Sequence, residues 1–185
     1  MAVCLMRIIA GQAGGRRLRS PKGMATRPMM DRAREALFSS LGPLLPGAAV
    51  LDLYAGSGSL GLEALSRGAE SAVFIEQGRR ALEALRDNVD SVGLGGSVVV
   101  SDVAAYLERC NQQFDLVFVD PPYALELASV GEILKLIADN VRVGGTVVLH
   151  RPAGEDTPPE TPGLTRVDGR RYGGTRLWRY ERTTP

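Results

Sequence analysis

The chain has 185 residues, 44% apolar and 23% charged, a composition that suits a soluble globular fold with one core and at most a small appendage. No run of 18 apolar residues is present, Met1–Ile9 is too short and is broken by Arg7, and Cys4 and Cys110 lie far apart; these exclude a membrane span, a secretory leader and a clustered metal site, and make a reduced, cytoplasmic setting the default. The net charge is only +1, yet residues 1–34 hold eight basic residues against one acid, so the remaining 151 residues carry −6.

The basic residues come first. Residues 6–10 read as a short strand, 11–15 as a glycine turn and 16–19 as a returning strand. A hairpin this small is marginal alone and must lean on the body or on its ligand. Residues 20–28 read as loop. Asp31 reads as the N-cap of a helix over 32–41, with Ala33, Ala36, Leu37 and Leu41 on its buried face and Arg32, Arg34 and Glu35 more exposed. Pro43, Pro46 and Gly47 break that helix. A basic arm on an acidic body points to an anionic partner, nucleic acid first. Arg7, Arg16, Arg17, Arg19, Arg27, Arg32 and Arg34 are then the candidate phosphate contacts. The organisation expected is a basic arm over 1–30 and a main domain over 31–185.

From residue 48 the pattern alternates. Strands are expected at 48–53, 71–76, 97–101, 114–119 and 146–150. Helices are expected at 60–67, 79–92, 103–110 and 127–141, the last with Leu127, Val130, Leu134, Ile137 and Val141 as its apolar stripe. Residues 151–163 form a proline-rich loop, and 164–169 with 176–182 read as a closing antiparallel pair. Strands alternating with helices imply right-handed crossovers and a mainly parallel sheet with an antiparallel edge pair.

Four strands end in acids: Asp52, Glu76, Asp102 and Asp120. In an open parallel sheet, ligands bind outside the carboxyl ends of the strands. After Asp52 comes Tyr54-Ala55-Gly56-Ser57-Gly58, and Gly56, Gly58 and Gly61 fit a glycine turn that lets backbone approach a ligand closely. The same spacing fits a dinucleotide fold, but Asp52 before the turn fits a cation or an ammonium instead. Glu76, 20 residues beyond Gly56, is placed to accept both ribose hydroxyls of an adenosine. Asp102, followed by Val103, either accepts from an adenine amino group or caps the next helix. Asp120-Pro121-Pro122-Tyr123 stops the fourth core strand abruptly. Each proline fixes its φ and removes a donor. The stiff turn therefore offers a carboxylate, a free carbonyl and an aromatic ring, a set that grips a planar base bearing an amine. His150, the single histidine, reads as structural or edge-lining, and Trp178 as packing.

Residues 52–61 together with Asp120-Pro121-Pro122-Tyr123 resemble a Rossmann-like S-adenosyl-L-methionine-dependent methyltransferase acting on an exocyclic amine of a base. Residues 6–11, Arg27-Pro28, residues 31–38 and residues 62–69 resemble the bacterial 16S rRNA guanine-N2 methyltransferase family over nearly the whole chain. The resemblance implies an α/β methyltransferase sheet with a small amino-terminal hairpin and helix extension. It implies methyl transfer to the N2 amine of a guanine in 16S rRNA, in an assembled or assembling 30S particle, by a monomer. Asp52, Tyr54, Ala55, Gly56, Ser57, Gly58, Glu76, Asp102 and Val103 would hold the donor, and Asp120 to Tyr123 the base. An adenine-N6 methyltransferase uses the same four-residue motif and stays open at this level.

Overall fold

The computed structural model describes residues 6–21 and 31–184; Arg27 lies outside them. The elements are helix α1 (Asp31–Leu41) with a 3-10 turn after it, β1 (Ala49–Leu53), α2 (Ser59–Ser66), β2 (Ser71–Glu76), α3 (Arg79–Val92), β3 (Ser97–Val100), α4 (Val103–Leu107), β4 (Phe114–Val119), α5 (Leu127–Ala138), β5 (Val141–Pro152), β6 (Leu164–Tyr172) and β7 (Thr175–Arg182). All seven strands form one sheet in the order β3-β2-β1-β4-β5-β7-β6. Pairing is parallel from β3 through β5 and antiparallel for β5–β7 and β7–β6. The expected sheet and its antiparallel edge are therefore both present. None of the described helices is long and apolar enough to cross a membrane.

The sheet is central because its strands are apolar on both faces. Every residue of β1 is buried, as are the last four of β4, and a strand covered on both sides shows no polar alternation. One core joins α1, α2 and α3 to one face through Phe38, Leu62, Leu85, Phe74 and Phe118. The other joins α4 and α5 through Leu107, Leu134 and Ile137, and includes Trp178 and Tyr180 of β7. Trp178 is packed as expected, with the guanidinium groups of Arg166 and Arg176 about its ring at 5.3 and 5.0 Å.

The amino-terminal hairpin is present, bridged between Arg7 and Arg17 and tied by Leu18 N–H to the Met6 carbonyl at 2.8 Å. It leans on the body rather than waiting for a ligand: Met6, Ile8, Ala13 and Leu18 enter the same core as α1–α3. Glu63 of α2, fully buried, accepts from the N–H groups of Ile9 at 2.6 Å and Ala10 at 3.1 Å. At the hairpin turn Gly11 has φ +84° and sits so close to α2 that a Cβ would fall 1.9 Å from the Ser66 carbonyl oxygen, so only glycine fits.

Several boundaries differ from the sequence reading: α4 ends at Leu107 rather than at 110, β5 spans Val141–Pro152 rather than 146–150, and β6 runs on to Tyr172. Helix α5 stops at Ala138, not at Val141. Asn140 donates from Nδ2 to the Leu136 and Leu107 carbonyls, closing the helix, and Val141 opens β5 opposite Phe114. In α1, Arg34 lies on the buried face, because its guanidinium reaches back to the Arg7 carbonyl and to Asp31.

The strand order reverses direction between β1 and β4, so the cleft expected of such sheets lies at their carboxyl ends. That rim carries the ends of β1 to β5. Because β7 runs the other way, Thr175 at its start pairs with Pro152 at the end of β5 and joins the same rim.

Candidate active site

On the β1–β3 side, the rim is built around backbone. Tyr54 leaves β1 with φ +56°, a positive value that costs a non-glycine residue energy and is found where a turn is held in place for use. Ala55 N–H donates to the Ile75 carbonyl and Gly58 N–H to the Ala55 carbonyl, which closes the turn. Gly58 itself has φ +77°, and a Cβ on Gly61 would lie 2.3 Å from the Phe74 ring; this second glycine lets α2 sit close on β2. Ser57 is buried, with Oγ 3.2 Å from the Met6 sulfur, and its carbonyl accepts from Asn88 at 2.8 Å. Asn88, also buried, exchanges hydrogen bonds with the backbone of Arg19, so the amino-terminal hairpin and the glycine turn share one anchor.

The Glu76 carboxylate accepts from Gly56 N–H at 2.9 Å, Gln77 N–H at 2.9 Å and Gly78 N–H at 2.7 Å. Three backbone donors fix its direction, and the half-buried group keeps lone pairs for ribose hydroxyls. Asp102 caps α4, accepting from Ala105 N–H at 3.1 Å, and remains exposed beside the buried Val103. The capping half of the expectation for Asp102 is thus met. Tyr54 lies near it: burial, and then the Asp102 charge, push its phenol pKa up to about 12.

Asp52 is held within the fold at the end of β1. It is 1% exposed and faces inward, accepting from Gly61 N–H at 2.9 Å. Burial drives its pKa well above the ordinary range, and the charges of Asp120 and Glu76 add to the shift. One carboxylate oxygen thus braces the first turn of α2.

On the β4–β5 side, Asp120 follows the last residue of β4, and its side chain is about one-third exposed. Pro121 is buried; Pro122 and Tyr123 are exposed. Tyr123, at 46% exposure, is not the core residue that a plain strand-to-loop turn would give. The Pro122 carbonyl is taken by Leu125 N–H and Arg151, whereas no hydrogen bond to the Pro121 carbonyl is found among the described residues. Asp120 and Pro121 thus leave two acceptors beside an exposed ring, a geometry that can take both N–H bonds of a planar amine.

His150, set aside by the sequence reading, belongs to this group. Its Nδ1 lies 2.6 Å from Asp120 Oδ1, its Nε2 contacts Thr175 Oγ, and its ring centroid is 5.9 Å from that of Tyr123. Arg151 beside it is 1% exposed and donates to the Pro122 and Leu125 carbonyls and to Glu155. Apart from the Arg151–Glu155 pair, nothing in local sequence signals these contacts, since they join residues 25 to 30 apart.

The basic arm divides. Arg7, Arg16, Arg17, Arg19 and Arg32 are exposed. Arg16 donates to the Ser91 and Val92 carbonyls at the end of α3, Arg19 pairs with Asp87, and Arg34 is buried. Arg16 and Arg19 keep exposed side chains despite these contacts, whereas Arg34 is corrected from a phosphate contact to a buried brace between Arg7 and Asp31. Burial lowers its pKa from the ordinary guanidinium value, although Asp31 and Glu63 oppose the shift. Arg170 and Arg171, at the β6–β7 turn, are exposed but engaged by Asp168 and the Gly173 carbonyl.

Residues 6–181 match the family model described as "Conserved hypothetical protein 95". The chain is 42% identical over 136 residues to the ribosomal RNA small subunit methyltransferase D of Escherichia coli K12, covering 73% of this chain and 68% of that one. It is 33% identical over 162 residues to the protein of the same name from Haemophilus influenzae, covering 85% and 83%. A solved structure of a hypothetical protein from Thermus thermophilus superposes with a TM-score of 0.83 at 36% identity, covering 96% of this chain and 99% of that one.

Proposed function

This chain belongs to the conserved hypothetical protein 95 family, alongside the ribosomal RNA small subunit methyltransferases D, and on that footing we propose that it methylates the exocyclic N2 amine of a guanine in 16S rRNA. It is an S-adenosylmethionine-dependent rRNA methyltransferase with a Rossmann-like sheet. The observation that carries the guanine-amine reading is the Asp120–Tyr123 turn at the switch point, where a part-exposed carboxylate, an unengaged carbonyl and an exposed ring stand together.

The donor set fits S-adenosylmethionine by its chemistry. Glu76 is held by three N–H groups with acceptor capacity to spare, and the turn from Tyr54 to Gly58 brings backbone to the rim beside it. Glu76 would hold the ribose, the turn at Gly56 would receive the amino acid end, and Asp102 with Val103 would flank the adenine. When bound, the donor would supply a methyl group on a sulfonium, with the neutral thioether as the leaving group.

A guanine N2 lone pair is conjugated into the ring and attacks weakly. The Asp120 carboxylate and the Pro121 carbonyl accept its two N–H bonds, turn the lone pair out of the ring plane and offset the positive charge that builds on nitrogen. The new N–C bond forms as the C–S bond breaks, and the surplus N2 proton leaves through Asp120 to solvent. Tyr123 stacks on the base once it has left its helical stack. Arg7, Arg16, Arg17, Arg19 and Arg32 contact phosphates, with Arg27 completing the arm of residues 1–30. The substrate is rRNA in an assembling or assembled 30S particle, and the enzyme works in the cytoplasm as a monomer.

The test is methyl transfer to small-subunit particles and to free 16S rRNA from a strain lacking the modification, followed by nucleoside analysis. N2-methylguanosine at one position is expected. N6-methyladenosine would overturn the reading.

A further inference from the structure

Successive side chains of a strand point to opposite faces, and the end of β5 uses both. His150 turns to one side of the Asp120–Leu125 turn and Arg151 to the other. His150 reaches Asp120 at the start of that turn, while Arg151 holds the Pro122 carbonyl at 3.2 Å and the Leu125 carbonyl at 2.8 Å. Both side chains are almost wholly buried, at 3% and 1% exposure.

We propose that His150 is the positioning residue of the methyl-transfer site: it donates Nδ1–H to Asp120 Oδ1 and so aims the carboxylate at the amine. The inference rests on the reading of Asp120 as an amine acceptor. An ionised carboxylate can only accept, so the proton in the 2.6 Å contact lies on Nδ1. A neutral imidazole then has Nε2 as an acceptor, and Thr175 Oγ–H is the donor it meets. The one hydroxyl proton of Thr175 is better placed there than on the Arg151 carbonyl, 3.3 Å away. The chain Thr175–His150–Asp120 is thereby ordered, with the threonine fixing the tautomer that Asp120 needs.

Three consequences follow for the reaction. Oδ1 is occupied, which leaves Oδ2 for the substrate amine. The imidazole orients the carboxylate from the Oδ1 side and leaves it facing the amine, where positive charge develops. The same pair braces the stacking ring, because Tyr123 packs 5.9 Å from the imidazole and its hydroxyl lies 3.5 Å from Thr175 Oγ. A histidine that merely fills a buried slot would do none of these through Asp120.

The test compares His150→Leu, His150→Asn and His150→Gln, each alone and combined with Asp120→Asn, with kcat, KM for RNA, donor Kd and melting temperature measured for all. The asparagine amide stands where Nδ1 stands, whereas that of glutamine reaches toward Nε2. His150→Leu is expected to lower kcat by about 10–100-fold, as for a misaimed catalytic group, with KM and donor Kd little changed. His150→Asn should recover most of that loss and His150→Gln little. In the Asp120→Asn background, His150→Leu should have almost no further effect. The proposal is overturned if the loss from His150→Leu is as large in that background, or if the asparagine and glutamine variants lose kcat equally; the latter comparison also decides the matter if the leucine variant does not fold. A different result, Asp120→Asn leaving kcat intact, would refute the role of Asp120 itself.

Discussion

The two halves of the carboxyl rim are built by different means. On the β1–β3 side every carboxylate is held by backbone N–H groups: Asp52 by Gly61, Glu76 by Gly56, Gln77 and Gly78, and Asp102 by Ala105. On the β4–β5–β7 side the contacts run from side chain to side chain, Asp120 to His150 and His150 to Thr175. Any residue supplies an N–H, so the first half depends on chain path and on the acids themselves. The second half depends on each partner's identity. One half suits a donor that is always the same molecule; the other suits the fine aim that a weak nucleophile demands.

The sharpest way to break this division is Asp120→Ala. The proposed roles predict a fall in kcat of about 10²–10³-fold, the usual scale for losing a group that answers transition-state charge, with donor affinity unchanged by calorimetry. If donor affinity fell in parallel, the two halves would be one. Glu76→Ala should give the opposite pattern. Donor affinity is expected to drop about 10–100-fold, since hydrogen bonds to charged groups contribute about 1.5–3 kcal/mol. Melting temperature should drop as well, because three backbone donors lose their acceptor. An unchanged donor Kd would remove Glu76 from the donor site.

Tyr123→Ala sharpens the same contrast at smaller scale. Loss of stacking on a base is worth about 1–3 kcal/mol, so turnover on RNA should fall on the order of tenfold or more while donor binding holds. Tyr123→Phe should keep most activity, because the hydroxyl makes only a 3.5 Å contact with Thr175. Equal loss in both variants would move the role from the ring to the hydroxyl.

The division also explains what could be read from sequence. The order of strands and helices was legible because the central strands β1 and β4 are covered on both faces and read as apolar runs. Strand-end acids were legible because a parallel sheet gathers those ends on one rim. Asp102 as a cap lies three residues from its donor. His150 was not legible: an apolar strand gives no sign of which neighbour its one polar side chain will meet, and that neighbour is set by strand order. Arg34 was misread for the reverse reason. Charge density in the arm suggested phosphate, yet a hairpin packed on α2 and α3 must cap the carbonyls it covers, and arginine side chains do so. The last turn expected for α5 gave way to β5 because Val141 pairs with Phe114, a contact between strands that no helical stripe reveals.

Asp52→Asn is the smallest change expected, and it tests the half built on backbone. In the folded protein burial raises the Asp52 pKa well above its ordinary value, with Asp120 and Glu76 adding to the shift. A raised acid binds more protons folded than unfolded, so its favourable contribution is full below the unfolded value of about 3.9 and is lost as pH rises through the folded one. At pH 8 the wild-type chain therefore carries the cost of a buried charge. Asparagine can accept from Gly61 N–H through its carbonyl and carries no such cost. Asp52→Asn should raise the melting temperature at pH 8, by about 2–4 °C for each kcal/mol gained in a chain of this size. The advantage should shrink toward pH 4, where the wild-type carboxyl is protonated. Donor affinity should move little, since asparagine can keep the hydrogen bond from Gly61 N–H that braces α2. A stabilised variant that nonetheless lost the donor would place Asp52 on the ligand ammonium, as its position before the glycine turn first suggested, and would mean that the donor reaches a carboxylate that is 1% exposed in this structure.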